Sequence, residues 1–175
     1  VVTNTRDGQY QLKANNPAYE DMPVTDDMRT LARLRTVIDP LDLAVGQNFQ
    51  REEIAELFGE VFNPGNWNVG HVTLNEKKVH VLLVTLNKQG KAEDHQYVDH
   101  WIDDHHIHWQ SQNSTTPDSK RGKEIIEHER LSIGIHLFVR DGKLAGGKAA
   151  PFTYHGQVHY QSHTGGGPMS VVFRL

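Results

Sequence analysis

The run Val79-His80-Val81-Leu82-Leu83-Val84-Thr85-Leu86 constrains the fold more than any other stretch of this chain. Successive side chains of a strand point to opposite faces, so a strand that is apolar at odd and even positions alike must be covered on both sides. Such a strand belongs in the middle of a sheet, with a layer above it and another below. At 175 residues the chain is long enough for one domain of that kind with a real core.

The rest of the sequence reads outward from that strand. Residues 1–23 read as an irregular arm anchored by Tyr10, Leu12 and Tyr19. Thr25 to Ile38 predicts a helix, with Met28, Leu31, Leu34 and Ile38 at helical spacing and Pro40 as its stop. Together they make residues 1–49 an arm and linker helix ahead of an α+β domain at 50–175. Because the first residue is Val, the chain is expected to be a fragment of a longer protein with a domain upstream.

Gln50 to Gly59 predicts a short amphipathic helix, and Asn63 to Asn68 a turn-rich loop in which Trp67 serves the core. Val69 to Leu74 and Val79 to Leu86 predict strands joined at Asn75-Glu76-Lys77-Lys78. Further strands are expected at Ile107 to Gln110, Ile133 to Arg140 and Met169 to Leu175. Pro151 to Tyr154 and Gln157 to Ser162 predict a hairpin across His155-Gly156. A helix is expected from Pro117 to about Glu129, capped by Thr116. Leu144 to Ala150 and Thr164 to Pro168 read as flexible loops. Without strict strand–helix alternation, this is an α+β fold: a curved mixed or antiparallel sheet, or a partly open β-barrel, with two or three connecting helices. A PUA- or SRA-like sheet is one form it could take.

Composition removes several chemistries. There is no cysteine, which excludes disulfides, cysteine nucleophiles and thiolate metal sites and fits a cytoplasmic protein. No apolar run approaches the ~20 residues of a membrane helix. The net charge of -4 means that any nucleic-acid surface must be a local patch.

One stretch carries the strongest chemical signal: His108-Trp109-Gln110-Ser111-Gln112-Asn113-Ser114-Thr115-Thr116-Pro117-Asp118-Ser119-Lys120-Arg121-Gly122. Amide side chains offer a paired donor and acceptor, the geometry needed to read a base edge. Lys120, Arg121 and Lys123 follow at a helix start, with Lys143 and Lys148 in a glycine-rich segment as further phosphate contacts. Trp109, Gln110, Ser111, Gln112 and Asn113 are therefore the expected reading residues. Tyr154, Tyr160, Ser162 and His163 offer a second wall. Trp109 and Gln110 should face opposite ways in a strand, so both line one pocket only where the strand ends or bulges. The same stretch also reads as a polar loop running into a capped, solvated helix.

The His/Asp-rich tract Asp94, His95, Asp99, His100, Asp103, Asp104, His105, His106 raises metal chemistry. It contains no compact His-x3-His or His-Glu-x-x-His arrangement and reads as a solvated loop. No metal, no cofactor and no catalytic residue is expected.

Five segments taken together resemble a known family: Phe62 to Trp67, Val81 to Lys88, His108 to Thr115, Ile135 to Arg140 and Pro168 to Leu175. They are similar to an uncharacterised bacterial domain found at the C-terminus of superfamily-two helicases fused to phospholipase-D-like nucleases, or beside other restriction-type nucleases. The resemblance covers about residues 50–175. It implies a module that binds double-stranded DNA, modified in a base or the backbone, for a restriction or phage-defence endonuclease whose nuclease or helicase domain lies elsewhere on the full chain. The alternatives are a metal-dependent nuclease using the His/Asp tract and a protein-interaction domain of a helicase complex.

Overall fold

The computed structural model describes residues 2–4, 10–12, 43–87 and 99–175. The helix expected over Thr25 to Ile38, and Asp94 and His95 of the His/Asp tract, lie outside them. The chain divides into two compact units, 1–42 and 43–175. In the first, β1 (Val2–Asn4) pairs antiparallel with β2 (Tyr10–Leu12), a short ladder inside the stretch expected to be irregular.

The second unit is the α+β fold expected, with open sheets. It runs β3 (Asn48–Phe49), α1 (Arg51–Leu57), α2 (Pro64–Trp67), β4 (His71–Leu74), β5 (Val79–Asn87), β6 (His100–Asp103), β7 (His106–Gln110) and α3 (Lys120–Ile126). It continues with β8 (Gly134–Gly142), β9 (Leu144–Ala145), β10 (Lys148–Ala149), β11 (Phe152–Gln157), β12 (His159–Thr164) and β13 (Ser170–Arg174). The first sheet has the order β3-β11-β8-β5-β4, antiparallel except for the parallel pair β5/β8. The second is antiparallel, in the order β12-β13-β7-β6.

Both faces of β5 are covered, as its composition requires. Leu82 and Val84 join Ile135, Leu137 and Val139 of β8 in a core closed by Ile107, Trp109, Val171 and Phe173 of the second sheet and by Ile125 of α3. Val81 and Leu83 face the other way, onto Ile54 and Ala55 of α1 and Phe58 at its end, with Trp67, Phe138 and Phe152. The layers are therefore α1 and α2, then the first sheet, then the second sheet with α3.

Local chemistry explains the elements. The Gln50 backbone N–H donates to Glu53 Oε2 at 2.6 Å to open α1, whose acidic first turn suits the helix dipole. Gly59, at φ +70°, follows its end, as the sequence implied. The expected loop at Asn63 to Asn68 holds a one-turn helix instead: Asn63 Oδ1 accepts from Gly65 N–H at 2.8 Å, and Pro64 opens the turn. Trp67 is buried as expected.

Four further expectations are corrected. His100–Asp103 is an edge strand on β7 rather than loop. α3 begins at Lys120 under a Ser119 cap, not at Pro117 under Thr116, because Ser119 Oγ takes the Gly122 N–H while Thr116 Oγ1 takes that of Ser119. The Gly146-Gly147 segment is the turn of a tight β9/β10 hairpin, both residues at positive φ, rather than a flexible loop. β11 and β12 do not form a hairpin. Gly156 sits at a bulge at φ +94°, the strand bends, and buried Val158 donates its N–H to Ile135 O at 2.8 Å. The chain thereby crosses from one sheet to the other, and β12 pairs with β13.

Two predictions follow from this packing. A Cβ on Gly122 would stand 1.9 Å from the Thr116 carbonyl oxygen, which is backbone and cannot turn aside. Gly122→Ala should therefore cost more than the ~1 kcal/mol that alanine normally gains over glycine in a helix, giving a net loss of about 2 kcal/mol or more in urea unfolding. The second concerns His136, whose Nδ1 lies 2.9 Å from the Tyr154 hydroxyl and whose burial pushes its pKa down to about 4. Between pH 6.5 and 4 the unfolded imidazole holds a proton that the folded one lacks, so stability falls as pH drops through that window and is flat above it. His136 alone should remove roughly 2–3 kcal/mol between pH 6.5 and 4.5, and urea titrations of His136→Gln should show a correspondingly shallower pH dependence.

Candidate functional site

Where β5, β7 and β8 run out and β4 and α1 begin, the layers part around a cleft of about 400 Å³. Three cations line it, Arg51, Arg140 and Lys143, against one carboxylate, Asp99. The two arginines share one aromatic ring: the Arg140 guanidinium lies 4.3 Å from the Phe152 centroid and that of Arg51 5.1 Å. Arg140 Nε donates to Thr85 Oγ1 at 2.9 Å, and Arg51 Nη1 donates to the carbonyls of Trp67 and Val69 at 2.6 and 2.9 Å. Burial lowers the pKa of both, and Arg140 lowers that of Arg51 further. These contacts hold the guanidinium planes in fixed orientations.

The opposite wall comes from β7 and the residues after it. Trp109 is buried and meets His71 edge-on, ring centroids 5.3 Å apart. The Gln110 N–H donates to buried Asp99 at 2.8 Å. Ser111 extends the β7/β13 ladder: its N–H donates to Met169 O and its Oγ accepts from Met169 N–H, both at 2.9 Å. Gln112 Oε1 accepts from Arg121 Nη1 at 2.7 Å, which orients its amide.

His71, also on the wall, is buried, with Nε2 3.0 Å from His80 Nδ1 and with Nδ1 lacking a partner among the described residues. Desolvation holds its pKa well below the ordinary value, and repulsion from His80 and Arg121 adds to the effect. His80 Nε2 lies 3.0 Å from Glu124 Oε2. Burial lowers the His80 pKa too, against the pull of that carboxylate.

Of the residues singled out in the sequence, Trp109, Gln110, Ser111, Gln112 and Lys143 all line this cleft. Gln110 is the last residue of β7 and is still paired with Ser170, so Trp109 and Gln110 alternate along the strand although both residues line the cleft. Asn113 is exposed on the loop beyond, where its carbonyl faces Gly167. Lys120, Arg121 and Lys123 stand on α3: Lys120 and Lys123 are exposed, and Arg121 is turned onto Gln112. Lys148 is exposed on β10.

The second wall expected from the C-terminal segments is not part of the cleft. Tyr154 is buried in the core under α1 and bonded to His136. Tyr160, Ser162 and His163 sit on β12, the outer strand of the second sheet, with the Tyr160 hydroxyl 2.6 Å from His163 Nδ1. In their place the cleft has Arg51, His71, Asp99 and Arg140. Asp99 stood out only as part of the His/Asp tract and nothing local marked the other three, since long-range packing brings the four together.

Metal chemistry finds little footing. Among the described residues, three such side chains gather only at His128, Glu129 and His159. There His128 faces the Ile133 carbonyl through Nδ1 and accepts the Tyr160 N–H through Nε2, so neither nitrogen is left to bind a metal. In the His/Asp tract, Asp103 bonds His106 Nδ1 at 2.8 Å and the His105 N–H, and Asp99 is tied to Gln110.

The sequence matches, over residues 43–170, the family described as "Domain of unknown function (DUF3427)". That span is close to the one expected from the five sequence segments. Among curated proteins no sequence matches. Among solved structures the chain is similar to the DNA recognition domain of the cytosine modification-dependent restriction endonuclease LpnPI, at 15% identity and a TM-score of 0.41, covering 74% of this chain and 69% of that one. A likeness that remote has no bearing on what the cleft holds.

The Ser111 staple is directly testable. Ser111→Ala leaves the buried Met169 N–H without an acceptor, at a cost of about 1–3 kcal/mol. Hydrogen exchange should show faster opening at Met169 and Ser111 than in β5.

Proposed function

This chain belongs to the DUF3427 family of domains of unknown function, and from that premise we propose that it is a DNA-binding specificity module, taking a modified base of a double strand into the cleft. The cleft itself carries the reading. It sets an indole, two amides and three cations around about 400 Å³, a volume typical of small-molecule pockets. A base drawn out of a duplex must recover both its stacking and its edge hydrogen bonds. Trp109 offers the first, and Gln110 and Gln112 the second. Arg51, Arg140 and Lys143 suit the phosphates on either side of the extruded nucleotide. Lys120, Lys123 and Lys148, exposed outside the cleft, extend the phosphate-facing surface, with Arg121 holding Gln112.

The module reads and does not cut. A nuclease built on the His/Asp tract is disfavoured because Asp99, Asp103 and His106 are committed to contacts within the protein. In this reading, cleavage belongs to a nuclease or helicase-linked domain of a longer chain, acting in the cytoplasm in restriction or phage defence.

The test is a gel shift with matched modified and unmodified duplexes across a salt titration. Binding without added metal is expected, weakening steeply as salt rises. Gln110→Ala should reduce the modified-to-unmodified ratio about tenfold, whereas Lys120→Ala with Lys123→Ala should weaken all duplexes alike and flatten the salt slope by about one per lost contact. A discrimination ratio that survives both Gln110→Ala and Trp109→Ala would place the reading site elsewhere.

A further inference from the structure

A chain of hydrogen bonds crosses the protein between two cavities. It starts at Glu124 on α3, which lines a smaller cavity of about 230 Å³ together with His80. Glu124 Oε2 meets His80 Nε2 at 3.0 Å, and His80 Nδ1 meets His71 Nε2 at 3.0 Å. His71 lines the large cleft, and its Nδ1, the ring nitrogen not turned to His80, is buried without a partner among the described residues.

Proton counting along this chain determines the state of that last nitrogen. A carboxylate only accepts, so the hydrogen between Glu124 and His80 sits on His80 Nε2. Burial keeps both imidazoles neutral near pH 7. His80 Nδ1 is therefore a bare lone pair, and the hydrogen facing it must sit on His71 Nε2. His71 Nδ1 is left as a lone pair too. Three residues from three elements thus fix one tautomer and leave one buried acceptor on a residue of the cleft wall. A buried acceptor left unsatisfied is costly, and native structures satisfy nearly all of them.

We propose that His71 Nδ1 is a specificity-determining atom that accepts a hydrogen bond from a donor on the ligand, and that His80 and Glu124 are positioning residues that hold it in its accepting form. The proposal rests on the cleft taking a base. The ligand class is then a base with an exocyclic amino group, as in cytosine or adenine. A carbonyl at the same position, as in thymine or hypoxanthine, would set two lone pairs against each other. Selectivity of this kind is large because the mismatch leaves buried polar groups unpaired.

The experiment uses the whole chain and duplexes with one probe base opposite an abasic site, so that no probe has pairing to lose. The probes are 5-methylcytosine against thymine, and N6-methyladenine against hypoxanthine. The amino member of at least one pair should bind about tenfold more tightly than its oxo partner. His71→Phe, which keeps a ring and removes the acceptor, should shrink that gap to less than threefold. Glu124→Gln tests the relay without changing volume, because an amide can donate or accept and so releases the tautomer. It should narrow the gap likewise, while ¹⁵N spectra of histidine-labelled protein show His71 moving from the Nε2–H form to a tautomer mixture.

If no duplex binds, the DNA reading falls and this assignment falls with it. If duplexes bind but amino and oxo members are held equally, or the gap survives His71→Phe, the assignment alone is overturned. A free-protein spectrum with His71 protonated on Nδ1 overturns it as well.

Discussion

The domain at 43–175 is organised by the parallel pairing of β5 with β8. The register runs from Val79 opposite Gly134 to Asn87 opposite Gly142 and places both strands at the middle of the first sheet. Parallel strands are slightly less stable per residue than antiparallel ones and occur where both faces are covered. Here α1 and Trp67 cover one face and the second sheet the other. The sequence between β5 and β8 therefore does two jobs. It connects the strands, and it contains β6, β7 and α3, which form part of the covering layer.

The cleft is a product of that arrangement. The central strands end together at one side of the domain, and the elements that flank them begin or stop there. Side chains from helix, first sheet and second sheet are then neighbours without being close in sequence. His71, which meets Trp109 of the second sheet, and the Arg51–Phe152–Arg140 stack, which ties α1 to the first sheet, each join two of these layers.

Legibility in the sequence follows the range of the interactions. The two-faced burial of β5, the amphipathic α1 and the core role of Trp67 are all written in short windows, and all appear in the structure. The cleft's β7 wall was readable for the same reason, since Trp109 to Gln112 form one continuous segment. What could not be read was set by which of several possible contacts the folded chain makes. A helix cap moved from Thr116 to Ser119 because two hydroxyls exchange bonds with each other's backbone. A hairpin expected at His155-Gly156 became a bulge because Val158 finds a place between the sheets. Tyr154 carries a polar tip suited to a ligand, yet its bond to His136 uses that tip inside the core.

The Ser111–Met169 staple has a consequence for how the protein comes into being. The two residues are 58 positions apart, and β7 has no partner from β13 until the later one has been made. A ribosome adds about 5–20 residues per second, so β7 waits several seconds with one edge bare. An unpaired edge is a template for any strand in reach. For that interval the nascent chain holds the segment that will line the cleft but not the cleft itself, whose wall is fixed only by the last described strand.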